Sequence, residues 1–209
     1  IEPGAPGLLG GRTGGAWLNC TKALEMSLYN GKDPRTGICL HKNENGKTLS
    51  EFASYQEAED AFVDQMKYYI KMEAILENTI DQVWEEMLEE PMAAIFACPT
   101  TTIPRGKPIK QGGAKYDLTG QQTIGTANIA NSLYVIKKLI FEDKKITGAQ
   151  LQHALETNWQ DETTTPTGTQ IKAMCLAVPK YGNDIDEVDF IARDMMAMIA
   201  NELSSYKNT

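Results

Sequence analysis

The chain has 209 residues, enough for one large domain or one and a half at roughly 150 residues each. Twenty Lys and Arg against twenty-eight Asp and Glu leave a net charge of −8, which argues against a nucleic-acid surface and against a polybasic membrane patch. Apolar residues make up 42%, too many for a disordered chain, and the longest uninterrupted apolar stretch, Met92–Cys98, falls far short of the roughly 20 residues that cross a bilayer.

Residues 1 to 15 read as a loop, with Pro3, Pro6 and glycines at 4, 7, 10, 11, 14 and 15. Neither GxGxxG nor GxxxxGK[ST] occurs there, so a nucleotide loop is not indicated. Residues 16 to 30 read as a helix on the spacing of Trp17, Thr21, Leu24 and Leu28, with Gly31 as its stop. Asp33-Pro34-Arg35-Thr36-Gly37 and Asn43-Glu44-Asn45-Gly46 read as turns.

Residues 54 to 90 predict one long helix, about 55 Å at 1.5 Å per residue. Ser54 with Glu57 makes a capping box, Pro91 ends the helix, and Phe62, Met66, Tyr69, Leu76, Ile80, Val83 and Met87 form one apolar stripe. The near-heptad spacing allows a coiled coil, but Glu73 sits on the seam, which favours a buttress helix in a large protein.

Residues 99 to 123 are rich in Pro and Gly. Ile129, Leu133, Ile136 and Ile140 mark a helix, and Thr147 with Gln150 caps the next, which carries Leu151, Ala154, Leu155 and Trp159. A polar stretch from Gln160 to Gly168 precedes a short apolar segment around Ile171 to Val178. The last helix opens on Asp184 and Glu187 as a capping box and buries Val188, Ile191, Met195, Ile199 and Leu203. Asp184, Asp186, Glu187 and Asp189 lack EF-hand spacing and suit a helix N-terminus.

The cysteines Cys20, Cys39, Cys98 and Cys175 lie far apart and read as reduced, buried thiols without a catalytic role. His41 and His153 are too few for a His-based zinc site. With no initiator Met, signal peptide or lipidation motif, the chain reads as an internal piece of something longer. Helices dominate and few runs look like strands. The two segments richest in Gly, 1–15 and 111–126, suit loops lining a site within a large α/β scaffold.

Gln111-Gly112-Gly113-Ala114-Lys115-Tyr116-Asp117-Leu118-Thr119-Gly120-Gln121-Gln122 resembles the GGA-x-Y-N-x-T/S-G-x-Q segment of glycyl radical enzymes. Gly125-Thr126-Ala127-Asn128-Ile129-Ala130-Asn131-Ser132-Leu133, Ile136-Lys137-Lys138-Leu139 and Val178-Pro179-Lys180-Tyr181-Gly182-Asn183-Asp184 fit the same family in the same order. The opening Ile1-Glu2-Pro3-Gly4 is similar to the end of its Gly-Cys-x-Glu-Pro loop. The resemblance implies a helix-rich α/β fold, one fragment (1–209) of a ten-stranded barrel of the pyruvate formate-lyase type with no complete second domain. In it, 1–15 would be the active-site loop, 54–90 the buttress helix and 111–126 the second loop.

By that resemblance the catalytic Cys lies just upstream of Ile1 and the radical Gly lies beyond Thr209. The chain itself would bind no cofactor. The radical would be installed by a separate activating enzyme using S-adenosylmethionine and an iron–sulfur cluster. The remaining partners implied are a small-molecule substrate and, for the full-length protein, a second copy in a homodimer, with no nucleic acid and no membrane, in an anaerobic cytoplasm. The isolated piece is expected to be inactive and poorly stable.

The chemistry explains the residue types. Hydrogen abstraction alone expels no leaving group; removing a proton from a neighbouring hydroxyl or carboxyl pushes electrons toward the breaking bond, and that needs a carboxylate in reach. In an extended segment residues i and i+2 share a side, so Cys-x-Glu places thiyl and base together, and Glu2 is the expected general base.

Pyruvate formate-lyase has two adjacent cysteines at this loop, and Ile1 stands where the second would be. Glu2 therefore favours dehydratases, lyases and decarboxylases; a formate C-acetyltransferase and a non-catalytic helical interaction module are the alternatives. Several diol dehydratases and choline trimethylamine-lyase continue with Gly-Trp-His-Asp, where this chain has Gly11-Arg12-Thr13-Gly14. Arg12, always charged and with a planar donor fork, is the expected contact for an anionic substrate group. Asp117, Thr119 and Gln122 are expected to brace the second loop.

Overall fold

A computed structural model describes residues 9–12, 15–87, 100–108 and 111–207. The chain divides into two compact units, one of Ile1–Leu18, Ile70–Thr123 and Leu203–Thr209, the other of Asn19–Tyr69 and Ile124–Glu202. The division runs through the long helix α2 (Tyr55–Met87), so each half of that helix belongs to a different unit.

The larger unit is helical. It holds α1 (Cys20–Leu28), the first half of α2, α4 (Thr126–Val135), α5 (Gly148–Glu156), α6 (Gly168–Ala177) and most of α7 (Asp186–Ser204). The chain runs on from α4 into a π-helical stretch, Ile136–Glu142. Leu49, Phe62, Met66, Leu133, Ile136 and Ile171 are buried to 2% exposure or less, each worth roughly 1.5–3 kcal/mol of apolar burial.

A polar node ties the two early turns to α2. The buried Asn43 donates from Nδ2 to the carbonyls of Ser27 (2.6 Å) and Lys47 (2.9 Å), and the buried Gln65 donates from Nε2 to His41 O (2.8 Å) and Asn43 Oδ1 (2.9 Å). Gly31 closes this corner at φ 76°, where a Cβ would lie 1.6 Å from His41 O, so only glycine fits.

Most helix signals stand. Thr147 with Gln150 forms a full capping box, as does Thr167 with Gln170 at the start of α6, a box the sequence reading did not single out. At α2 the box is displaced by one residue: Ser54 Oγ accepts from Glu57 N (3.3 Å), but the Glu57 carboxylate reaches back to Ala53 N (2.9 Å) and to Lys47 (2.8 Å).

Three boundaries differ from expectation. Residues 17–19 are a strand, β2 (Trp17–Asn19), so the helix predicted from 16 begins at Cys20, where the Asn19 side chain accepts from Lys22 N. Trp159 lies past the end of α5 in a left-handed conformation (φ 65°), next to Asn158 (φ 50°). Asp184 is also left-handed (φ 57°), two residues before α7, and does not form the expected capping box. The first-turn carboxylates of α7 serve elsewhere: Glu187 accepts from Tyr134 Oη (2.6 Å) and Asp189 from Gly182 N (3.0 Å).

The smaller unit holds the strands expected least. β1 (Leu9–Arg12) pairs in parallel with β3 (Tyr116–Thr119) in the register Leu9↔Tyr116, Gly10↔Asp117, Gly11↔Leu118 and Arg12↔Thr119. β2 pairs with β4 (Gln122–Ile124), and a short helix α3 (Thr102–Arg105) precedes β3 and β4 in the chain. Segments 1–15 and 111–126, read as loops, thus each contain strand. Their partners lie about a hundred residues away, and Gly-rich strands carry little period-2 pattern to betray them. Among the described residues no helix is long and apolar enough to cross a membrane.

Candidate functional site

The candidate site lies in the smaller unit, where β1 and β3 run beside each other and the second half of α2 backs them. The pairing continues past the strands: Gly15 N donates to Gly120 O (3.0 Å) and Gln122 N to Ala16 O (3.2 Å). Residues 9–12 and then Gly15 and Ala16 are thereby paired with the Gly-rich second segment.

That second segment is set by sterics. Gly113 N and Gln111 N both donate to Pro108 O, at 2.9 and 3.1 Å. A Cβ on Gly113 would stand 2.1 Å from Lys107 O and 2.5 Å from Pro108 O, so the backbone can fold this tightly only without a side chain. The Arg105 guanidinium gathers the carbonyls of Gly112 (3.3 Å), Gly113 (3.4 Å) and Ala114. Gln111 Nε2 donates to Glu85 O (2.9 Å), anchoring the segment to α2.

Helix α2 offers this strand pair a face of carboxylates. Glu73, Glu77 and Asp81 repeat every four residues and each is only 7% exposed. Thr119 Oγ1 donates to Asp81 Oδ2 (2.9 Å), and Glu77 Oε2 lies 3.0 Å from where a Gly15 Cβ would be. Both oxygens of Glu73 are buried without a hydrogen-bond partner, as are both amide atoms of Gln121. Desolvation, seconded by the charge of Glu77, pushes the Glu73 carboxyl up to about 7. Among the described residues no three Asp, Glu, His or Cys side chains converge as a metal site.

The expected site residues fare unevenly. Glu2 and Ile1 lie outside the described residues, as does Cys98. Arg12 ends β1 with its main chain paired to Thr119. Thr119 braces the second segment through Asp81, and Gln122 does so through its backbone N–H. Cys20, Cys39 and Cys175 are free thiols; Cys20 is buried as expected, but Cys39 is exposed, since it sits in the hairpin-like bridge with Lys32.

The carboxylate face is what the sequence reading missed, having noted Glu73 only as a flaw in an apolar seam. The four-residue repeat of Glu73, Glu77 and Asp81 was the available signal. The apolar stripe itself is buried at Phe62 and Met66, whereas Leu76 is 53%, Val83 44% and Met87 75% exposed.

A family model described as pyruvate formate lyase-like matches residues 1–209. The probable dehydratase YbiW of Escherichia coli K12 is 33% identical over 210 residues, covering all of this chain and 25% of that protein. The isethionate sulfite-lyase of Nitratidesulfovibrio vulgaris is 31% identical over 195 residues, covering 89% of this chain and 22% of that protein. A solved structure concerned with 1,2-propanediol dehydration in Roseburia inulinivorans superposes with a TM-score of 0.86 at 36% identity, over all of this chain and 26% of that one. The chain thus spans about a quarter of the length of the relatives it matches.

Proposed function

The chain belongs to the pyruvate formate lyase-like family, the fold of the glycyl radical enzymes, and from that premise we propose that it is part of a radical lyase. The parent protein eliminates a group through C–O, C–N or C–S cleavage, or decarboxylates, a small polar substrate. In this reading the 209 residues form an internal part of the barrel domain, and the chemistry needs a Cys just upstream of Ile1 and a radical Gly downstream of Thr209. The parent is a cytoplasmic homodimer charged by a separate S-adenosylmethionine-dependent activating enzyme.

The observation that carries the reading is the match to relatives named as a dehydratase, over all of the chain, and a sulfite-lyase, over 89% of it, together with Glu2-Pro3 at its start. Glu2 takes the proton from the substrate hydroxyl or carboxyl beside the carbon that has lost hydrogen. The β1–β3 pairing and its extension through Gly15 and Ala16 fix the stretch that follows Glu2 in the chain, from Leu9 on. Arg12 faces an anionic group of the substrate, in keeping with the sulfonate named in one relative's activity.

The test is anaerobic turnover of the activated parent protein with hydroxylated and sulfonated two- and three-carbon substrates. Glu2→Gln is expected to lower kcat by about 10²- to 10⁴-fold, as loss of a general base does, while the glycyl radical signal stays at the wild-type level by electron paramagnetic resonance. Turnover within twofold of wild type removes Glu2 from the mechanism. Arg12→Lys is expected to raise KM at least tenfold for an anionic substrate with less effect on kcat. An unchanged KM removes Arg12 from substrate binding.

A further inference from the structure

The second half of α2 has its chemistry reversed relative to its burial. Beyond Ile70 its covered positions carry Glu73, Glu77 and Asp81, while Met72, Ile75, Leu76, Val83, Trp84 and Met87 are exposed. The exposed set is not scattered. Met72, Leu76, Val83 and Met87 follow at intervals of four, seven and four residues, the spacing of a seam that packs against another helix. Leu76, Val83 and Met87 continue the stripe whose first-half members Phe62 and Met66 are fully covered. Contiguous exposed apolar faces of this kind mark interaction sites.

We propose that Met72, Leu76, Val83 and Met87 form the docking face for an apolar helix with basic flanks, supplied by the part of the parent protein that this chain does not span. The proposal rests on the reading of the chain as part of a longer glycyl radical enzyme. Length supports it: the relatives are about four times as long as the matched segment, so a partner element is available within the same polypeptide. Charge sets the flanks. Between Lys71 and Glu86 there are one lysine and five carboxylates, and the last turn of α2 contains no basic residue to offset the helix dipole. A second copy of this segment would bring like charge against like, whereas a basic-flanked helix would neutralise Glu85 and Glu86 while covering Val83 and Met87.

In this arrangement α2 works as a partition. Its carboxylate face serves the β1–β3 site, and its apolar face joins the remainder of the enzyme.

The test uses the full-length parent protein carrying Val83→Cys or Leu76→Cys, substitutions small enough to leave the fold intact. Maleimide labelling at these positions, read by peptide mass spectrometry, is expected to be at least 100-fold slower in the native protein than in the denatured one. It should also be independent of protein concentration. Labelling at the denatured rate overturns the proposal, and protection that vanishes on dilution overturns it in favour of a second copy. A Leu76→Asp parent that melts at the wild-type temperature also overturns it. Failure of the underlying reading is seen separately, in a parent gene that encodes no sequence beyond these residues or in a native mass that equals theirs.

Discussion

With both oxygens buried and unpartnered, Glu73 keeps its proton up to about pH 7, whereas an exposed glutamic acid gives it up near 4.5. The sign of the consequence follows from proton counting. Below pH 4.5 the folded and unfolded chains both hold the proton and Glu73 has no pH effect. As the pH climbs from 4.5 toward 7, the unfolded chain releases it first, so stability falls across that window and levels off above it. Glu73→Gln is expected to remove this fall, raising stability at pH 8 by roughly 1–3 kcal/mol while changing little at pH 4.5. Urea midpoints measured across that range check it; an unchanged slope would mean that Glu73 is paired in solution. None of this was legible in the sequence, because a Glu on an apolar stripe looks like a defect until its burial is known.

At the scale of elements, local signals were legible and distant ones were not. The turns closing at Gly37 and Gly46 and the cap at Thr147 are decided by residues within four positions of one another, and the structure keeps all three. Trp159 fits the apolar spacing of α5, yet the helix ends at Glu156, where Thr157 turns its hydroxyl back onto His153 O (2.9 Å). The Gly-rich second segment was recognisable by motif, but its reason is steric and needs the fold. Gly113→Ala is expected to cost about 1–3 kcal/mol, because the new Cβ would meet the backbone carbonyls of Lys107 and Pro108. Gly46→Ala, with open space around it but φ at 67°, is expected to cost only the left-handed strain, about 1–2 kcal/mol. Thermal melts of the two variants check the difference in kind: restoring space around residue 113 with Lys107→Gly should not help, since the clash is with backbone.

For the whole molecule, the helix-rich character and the family were both legible, since each rests on patterns that survive without knowledge of contacts. The strands were not, and neither was the division into two units that cuts through α2. Both depend on which remote segments meet, and a period-2 pattern is weak in strands as short and glycine-laden as Leu9–Arg12. The expected cysteine burial failed at Cys39, which is exposed and pairs its backbone with Lys32.

The parallel register of Leu9–Arg12 with Tyr116–Thr119 also sets an order of events at birth. During synthesis the first strand leaves the ribosome more than a hundred residues ahead of its mate. At roughly 5 to 20 residues per second it waits on the order of five to twenty seconds with its edge open. The helical stretches between them can fold in that interval, since they need only near neighbours. Leu9–Arg12 therefore settles into its pairing only after α2, which lies between the two strands in the chain, has been made.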